Sequence, residues 1–331
     1  MEESEITFVV QGPILIRNGI NLTALCLNSI RSNFPKTTVI LSTHPGESPQ
    51  GLAYDLLIVN QTDAREIVEN DRVGNTMTMN LQSASSISGL RAVQTKYAIK
   101  IRSDMVVLNK NLLFLLENRP VRVEREGLTL TEEMVIVLNW TTVDPRRYLK
   151  LAHHPSDHLF AGKTSDLIDI WSVPNYPVEF MRWFENNPYP VDARHGNSLT
   201  RYRCETWIWM NYVRSSISHL LESSYQMSED ILKESISLMV HNLQVVSPHM
   251  AGVDSLKNSE PSISSKAKML THLDWILLSR ANGVKSNFRS IDFESFKVFA
   301  FRVFVNCFKR LDLIFPAYST KPPKISREAS E

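Results

Sequence analysis

Lys96-Tyr97-Ala98-Ile99-Lys100-Ile101-Arg102-Ser103-Asp104 is the stretch on which the fold turns. Residues 97–101 read as a buried strand, and the run stops abruptly in Arg-Ser-Asp, polar residues of the kind that gather where a parallel strand ends. A carboxylate at such an end can hold Mg²⁺ or Mn²⁺ through oxygen, and the metal neutralises a departing phosphate. An Asp capping the turn before Val106 and Val107 is the plain alternative, and the local residues leave both open.

Upstream, short apolar runs alternate with helical ones. Ile6-Thr7-Phe8-Val9-Val10 is a strand that runs into Gln11-Gly12-Pro13. Residues 22–33 follow as a helix with Leu22, Leu25, Cys26 and Ile30 on one face and Pro35 beyond its end. A second strand over 38–42 closes in Thr43-His44-Pro45-Gly46, a third covers 56–59, and a helix over 75–93 carries Met77, Leu81, Ala84, Ile87 and Leu90 as its expected buried stripe. This order predicts βαβ units and a parallel sheet. Ligands of such sheets lie outside the carboxyl ends of the strands, so Gln11, Thr43, His44 and Asp104 are expected to converge. Asp63 reaches a base or ribose only if its loop folds inward, and a surface loop is expected there.

Past Asp104 the order changes: a helix over 111–117, a strand over 134–138, a Pro/Asn-rich stretch over 174–190, a helix containing Glu205, Trp207 and Trp209, and a strand over 238–246. This predicts a mixed-sheet second half. The Ser-, Asn- and Pro-rich residues 254–265 read as a linker, dividing the chain into 1–253 and a helical region over 254–331. Residues 293–315 interleave seven phenylalanines with Lys297, Arg302, Lys309 and Arg310. Such a helix suits the surface of a membrane or packing against the main body, and the composition does not separate the two.

Composition bounds the function. The chain has 331 residues, 43% hydrophobic and 21% charged, which fits two domains or one large α/β domain and excludes a mainly disordered chain. Thirty-six Lys and Arg against 35 Asp and Glu leave a net charge of +1, so no global field favours nucleic acid and an anion site must be local. Cys26, Cys204 and Cys307 lie far apart, which argues against a disulfide framework or structural zinc and for a reducing compartment. Residues 1–5 lack the basic start of a secretory signal, no run is apolar enough to span a bilayer, and a cytoplasmic protein is expected. On that expectation the glycosylation-type triplets at Asn21, Asn60 and Asn139 are chance matches. His153 and His154 are adjacent, and neighbours on a strand point to opposite faces, which disfavours a shared metal.

The segments Phe8-Val9-Val10-Gln11-Gly12-Pro13, Cys26-Leu27-Asn28-Ser29-Ile30-Arg31, Phe34-Pro35, Val39-Ile40-Leu41-Ser42-Thr43 and Lys96 through Asp104 resemble, in order and spacing, the WavE family of lipopolysaccharide-synthesis proteins. The resemblance continues through His154-Pro155-Ser156-Asp157-His158-Leu159-Phe160-Ala161-Gly162-Lys163, Asp166-Leu167, Glu205 and Trp209, covering about residues 6–215. That family is similar to GT-A glycosyltransferases. The resemblance implies an α/β, GT-A-like, Rossmann-type mixed sheet with a nucleotide-sugar across the strand ends and a divalent metal on an acidic D-x-D motif. It further implies a glycan or lipid-linked glycan acceptor; the aromatic and basic tail offers attachment at the inner face of the membrane as one setting.

Carried over residue by residue, Asp104 matches the last Asp of D-x-D while Arg102 replaces the first, so a metal would rest on Asp104, and Arg102 can contact phosphate or orient Asp104. Gln11 and Gly12 match the nucleoside position, Gly12 admitting close backbone approach and Gln11 able to pair with a base edge; Thr43 is similarly placed. Where the family has an Asn-Arg-Gln string this chain has Asn80-Leu81-Gln82, which leaves Lys100 or Arg91 as candidate cations for the diphosphate. The acceptor side resembles the segment around Asp157, with Asp157 and Glu205 as candidates for the base that takes the acceptor proton. His249 matches a metal-binding histidine by position only. A transferase and a non-catalytic scaffold retaining the fold are both compatible with these residues.

Overall fold

Ile6–Gln11 (β1) is buried along its whole length, which no exposed or edge strand would be. The structure, a computed structural model, describes residues 1–60, 78–190, 198–257, 261–285 and 292–310, with side chains to 305. The other sheet strands are Thr38–Thr43 (β2), Leu56–Val59 (β3), Tyr97–Arg102 (β4), Val135–Leu138 (β5), Leu159–Lys163 (β6) and Leu243–Val246 (β7). They form one seven-stranded sheet in the order β7-β5-β6-β4-β1-β2-β3. β4, β1, β2 and β3 are mutually parallel, β6 runs antiparallel to both β4 and β5, and β7 is parallel to β5. The α/β fold with a mixed sheet is therefore as expected, and residues 61–77, including Asp63 and Met77, lie outside the described residues.

Side chains alternate across the sheet. Phe8, Val10, Ile99 and Ile101 enter one core layer with Cys26, Leu27 and Ile30 of Leu22–Asn33 (α1). Val9, Ala98 and Phe160 enter the other layer with Leu167, Ile170 and Trp171 of Thr164–Trp171 (α3). The span of α1 is the expected 22–33; Asn21 caps it by accepting from Ala24 N at 2.9 Å, and Phe34 closes it.

Met79–Arg91 (α2) departs from the expected stripe. Leu81 and Ile87 are only partly buried, and the inward face is Met79, Ser83, Ser86, Gly89 and Leu90. Small residues let the helix approach β1 and β2: a Cβ on Gly89 would fall 2.5 Å from Val9 Cγ1 and 3.0 Å from Ser42 Cβ.

Two later expectations are corrected. Residues 238–242 are not strand but the end of Glu229–Asn242 (α5), which Ser228 caps by accepting from Ile231 N; only Leu243–Val246 pairs in the sheet. The signal was present in Ser228-Glu229-Asp230, a cap followed by acidic residues that favour the positive helix end. Asp254, placed at the start of a linker, belongs to Val253–Ser255, which pairs antiparallel with Met105–Val107. Beyond it, His272–Ala281 (α6) sends fully buried Trp275 into the second core layer, where its indole N–H donates to Leu243 O at 2.7 Å. Residues 272–281 thus share the core of the sheet. Cys204–Tyr212 (α4) and Phe293–Arg310 (α7) complete the helices used below.

Candidate functional site

Three parallel strands end at one cavity of about 480 Å³. β1 supplies Gln11, then Gly12 and Pro13; His44 follows β2; Arg102, Ser103 and Asp104 leave β4. Gly12 has φ of 127°, a conformation side chains rarely adopt, and a Cβ there would sit 2.9 Å from Ser103 Oγ. Ser103 locks the two strand ends together, its N donating to Gln11 O at 2.9 Å and its hydroxyl to Pro13 O at 2.8 Å. Expected convergence at the carboxyl edge is met by Gln11, His44 and Asp104. Thr43 lies just beneath: it is fully buried, its carbonyl accepts from Asn60, and it does not line the cavity.

Unmet polar groups mark this end of the sheet. Gln11 donates to Ser85 Oγ at 2.9 Å while its Oε1 has no partner, and Thr43 Oγ1 and His44 Nδ1 are likewise buried and unpartnered among the described residues. Buried polar atoms of this kind are ordinarily satisfied, so the cluster is suited to a ligand with its own donors and acceptors. Burial holds His44 below its usual pKa, favouring the neutral ring.

Arg102 is the centre of the charge arrangement. Its Nε donates to Asp104 Oδ1 at 3.0 Å and its Nη2 to Asp104 Oδ2 at 2.7 Å, while Nη1 stands 3.6 Å from Asp157 Oδ2. Its side chain is 26% exposed, so one edge faces the cavity. Asp157 lies one layer deeper, accepting from Gln82 Nε2, with His158 Nδ1 at 3.3 Å. Burial pushes the Asp157 carboxyl up, and His158, Arg102 and Lys100 together with the Gln82 bond more than reverse this, holding it far below the usual carboxylate range.

Lys100 does not line the cavity. Burial lowers its pKa to about 8, its Nζ donates to Asp157 O at 2.5 Å, and it faces the Trp171 ring at 4.4 Å. Arg91 is exposed and also outside the lining. Leu81, which stands where the resemblance has arginine, lines the wall instead, and among the described residues the cations that line it are Arg102 and Lys257. Lys257 was hidden in the presumed linker; the pairing of Val253–Ser255 and the bond from Leu256 N to Asp104 O carry it to the site. Glu47 was also missed, since nothing in its turn-rich surroundings marks it; its Oε2 accepts from Ile14 N at 3.1 Å.

The remaining candidates are dispersed. Glu205 opens α4 and its Oε2 is 3.5 Å from His154 Nε2, away from the cavity lining. His249 is exposed in the short helix Pro248–Ala251. His153 is buried with both ring nitrogens unpartnered among the described residues, and Trp209 belongs to the core. Among the described residues no three His, Cys, Asp or Glu side chains gather to hold a metal. Asp104, the candidate ligand, has both oxygens taken by Arg102. Among the described residues this donor set does not make a metal cage, and Arg102 places a guanidinium at this edge.

A search among curated proteins finds no match. The family model for WavE lipopolysaccharide synthesis matches residues 6–307, extending well beyond residue 215 where the motif-level resemblance stops. With nearly the whole chain covered, from β1 into α7, the protein belongs to the WavE lipopolysaccharide synthesis family.

Proposed function

We propose that the protein is a nucleotide-sugar-dependent glycosyltransferase acting in lipopolysaccharide assembly. The observation that carries this reading is the cavity at the carboxyl ends of β1, β2 and β4, where an open-edged guanidinium and the glycine-opened backbone at Gly12 sit beside Gln11 Oε1 and His44 Nδ1, both without a partner among the described residues. A nucleoside diphosphate needs those two things: hydrogen-bonding groups for a base and a fixed cation for the leaving phosphate. Arg102 is suited to phosphate because its planar fork can exchange one carboxylate contact for a bidentate phosphate contact. Family membership supports sugar donor and glycan acceptor as partner classes.

The proposal places the enzyme at the inner membrane surface through α7. Phe293, Phe296 and Phe299 are exposed there, while Val298 and Ser295 are buried and Arg302 anchors the helix to Asp274 at 2.7 Å. No helix among the described residues is long and apolar enough to cross a membrane. Interfacial attachment would bring a lipid-linked acceptor to the cavity.

Calorimetric titration with UDP, GDP, CDP and CMP, each with and without chelator, tests the donor site. Binding of one of them in chelator is the expected result; no binding by any at millimolar concentration overturns the reading. Binding with no sugar transfer or hydrolysis from any matching sugar-nucleotide would instead favour the scaffold, for which the occupied Asp104 is the specific observation.

A further inference from the structure

A second cavity, of about 110 Å³, is walled by Asn139, Trp140, Thr141 and His158 and rimmed by the Lys266–Glu294 ion pair. At ~30 Å³ per water it holds about four waters, the footprint of one edge of a sugar ring. Three features set it apart from a packing defect. Asn139 is 91% buried and its Oδ1 has no partner among the described residues. Thr141, a β-branched residue, is held at φ of 62°, a strained conformation that recurs at binding sites. His158 turns Nδ1 toward Ser156 Oγ at 3.1 Å and Asp157 Oδ1 at 3.3 Å, which leaves Nε2 with no protein partner among the described residues.

The two cavities are close. Arg102 N donates to His158 O at 3.2 Å, so a residue lining each is a cross-strand neighbour of the other. Lys257 of the first and Pro261 of the second are four positions apart, at most ~14 Å of extended chain. Asp157 bridges them, touching Arg102 on one side and His158 on the other. With Asp157 held ionised by the charges of Arg102 and Lys100 and by a Gln82 bond, it is a poor proton acceptor; it orients the imidazole instead. Burial lowers the His158 pKa and outweighs the Asp157 charge, so the ring is neutral near pH 7 with a lone pair on one nitrogen.

We propose that this second cavity takes one edge of a sugar residue of the acceptor glycan, with Trp140 as the apolar wall and Asn139 as its hydrogen-bonding partner, and that His158 Nε2 is the base for transfer. This rests on the transferase reading above. The acceptor hydroxyl oxygen bonds to the anomeric carbon of the donor as the bond from that carbon to the phosphate oxygen breaks, its electron pair staying on the phosphate beside Arg102. The hydroxyl proton moves to His158 Nε2 and then to water, the transient imidazolium facing the Asp157 carboxylate. Asn139-Trp140-Thr141, a chance glycosylation triplet by the sequence reading, thereby becomes the acceptor wall.

The test uses the full chain and two variants, Asn139→Leu, close in size and without a polar group, and His158→Gln. Probes are methyl β-D-galactopyranoside and methyl α-D-glucopyranoside, followed by saturation-transfer NMR, with nucleoside diphosphate titrated into the same samples. At least one glycoside is expected to bind the native chain at millimolar concentration and to lose tenfold or more in Asn139→Leu, while nucleotide affinity stays within twofold in both variants. Transfer from the matching sugar-nucleotide to that glycoside is expected to fall ~100-fold or more in His158→Gln. Glycoside binding that is absent, or unchanged in Asn139→Leu, overturns the acceptor cavity, and undiminished transfer by His158→Gln overturns the base. Loss of the glycoside in Asn139→Leu with no nucleotide binding by any variant would uphold the sugar cavity and overturn the transferase reading instead.

Discussion

Arg102 closes both oxygens of Asp104 into a fork, at 3.0 and 2.7 Å, although the two residues stand only two positions apart at the end of one strand. The carboxylate that a metal would need is spent on a guanidinium, and the guanidinium keeps an edge toward the cavity.

Replacing Arg102 is expected to reveal both halves of that pairing. A charge-assisted hydrogen bond contributes ~1.5–3 kcal/mol, so Arg102→Ala should weaken nucleoside diphosphate binding by roughly 10–100-fold. It also frees Asp104, and the remaining affinity should become dependent on Mn²⁺ where the native chain binds in chelator. Calorimetry with and without chelator reads both effects, and equal affinity for native and variant would remove Arg102 from the phosphate site.

Asp157 is expected to be a structural anchor as much as a functional one. Its carboxylate is 8% exposed and answers the charges of Arg102 and Lys100, so Asp157→Asn leaves buried cations without their partner. Breaking such a pair costs about 3–5 kcal/mol, which a urea midpoint measures directly. A change below ~0.5 kcal/mol would show that the charges are solvated.

Acid lability should carry the mark of His153. Burial lowers its pKa from 6.5 to about 4. The unfolded chain therefore binds the proton first, so its contribution is complete above pH 6.5 and is lost as pH falls from 6.5 to 4, by up to roughly 3 kcal/mol. His153→Asn suits the backbone φ of 53° and does not titrate, so its urea stability should fall less steeply across that window. Parallel curves for native and variant would assign the acid limb to other groups.

Gly89→Ala is expected to destabilise in spite of the better helix propensity of alanine. The added methyl meets Val9 and Ser42 at 2.5 and 3.0 Å, and overpacking of this kind costs about 1–3 kcal/mol. Thermal melting of the variant should fall by several degrees; an unchanged or higher midpoint would mean that α2 can lift from the sheet.

Phe293, Phe296 and Phe299 changed together to Ser should reduce sedimentation with phosphatidylglycerol vesicles by roughly tenfold or more, because all three rings are exposed and can enter the headgroup boundary. Their exposure means that the melting temperature should hold. Vesicle binding that is the same with and without the rings would place membrane attachment elsewhere.

The parallel half of the sheet was determined by sequence alone. Apolar runs at 6–10, 38–42, 56–59 and 97–101, separated by a capped helix and closed by turn residues, allow few arrangements other than βαβ, and the strand-end rule then places Gln11, His44 and Asp104 together. What decided the rest was packing between distant segments. The inward serines and Gly89 of α2 carry no hydrophobic period, because closeness to the sheet required small residues rather than apolar ones. Lys100 looked like a phosphate cation until the alternation of β4 turned it into the core beside Trp171. Lys257 and the His158 cavity depend on pairing between segments far apart in the chain, from Val253–Ser255 to Met105–Val107 and from β6 to β4. Local composition has no term for such contacts, and only the folded sheet brings those side chains within reach of one another.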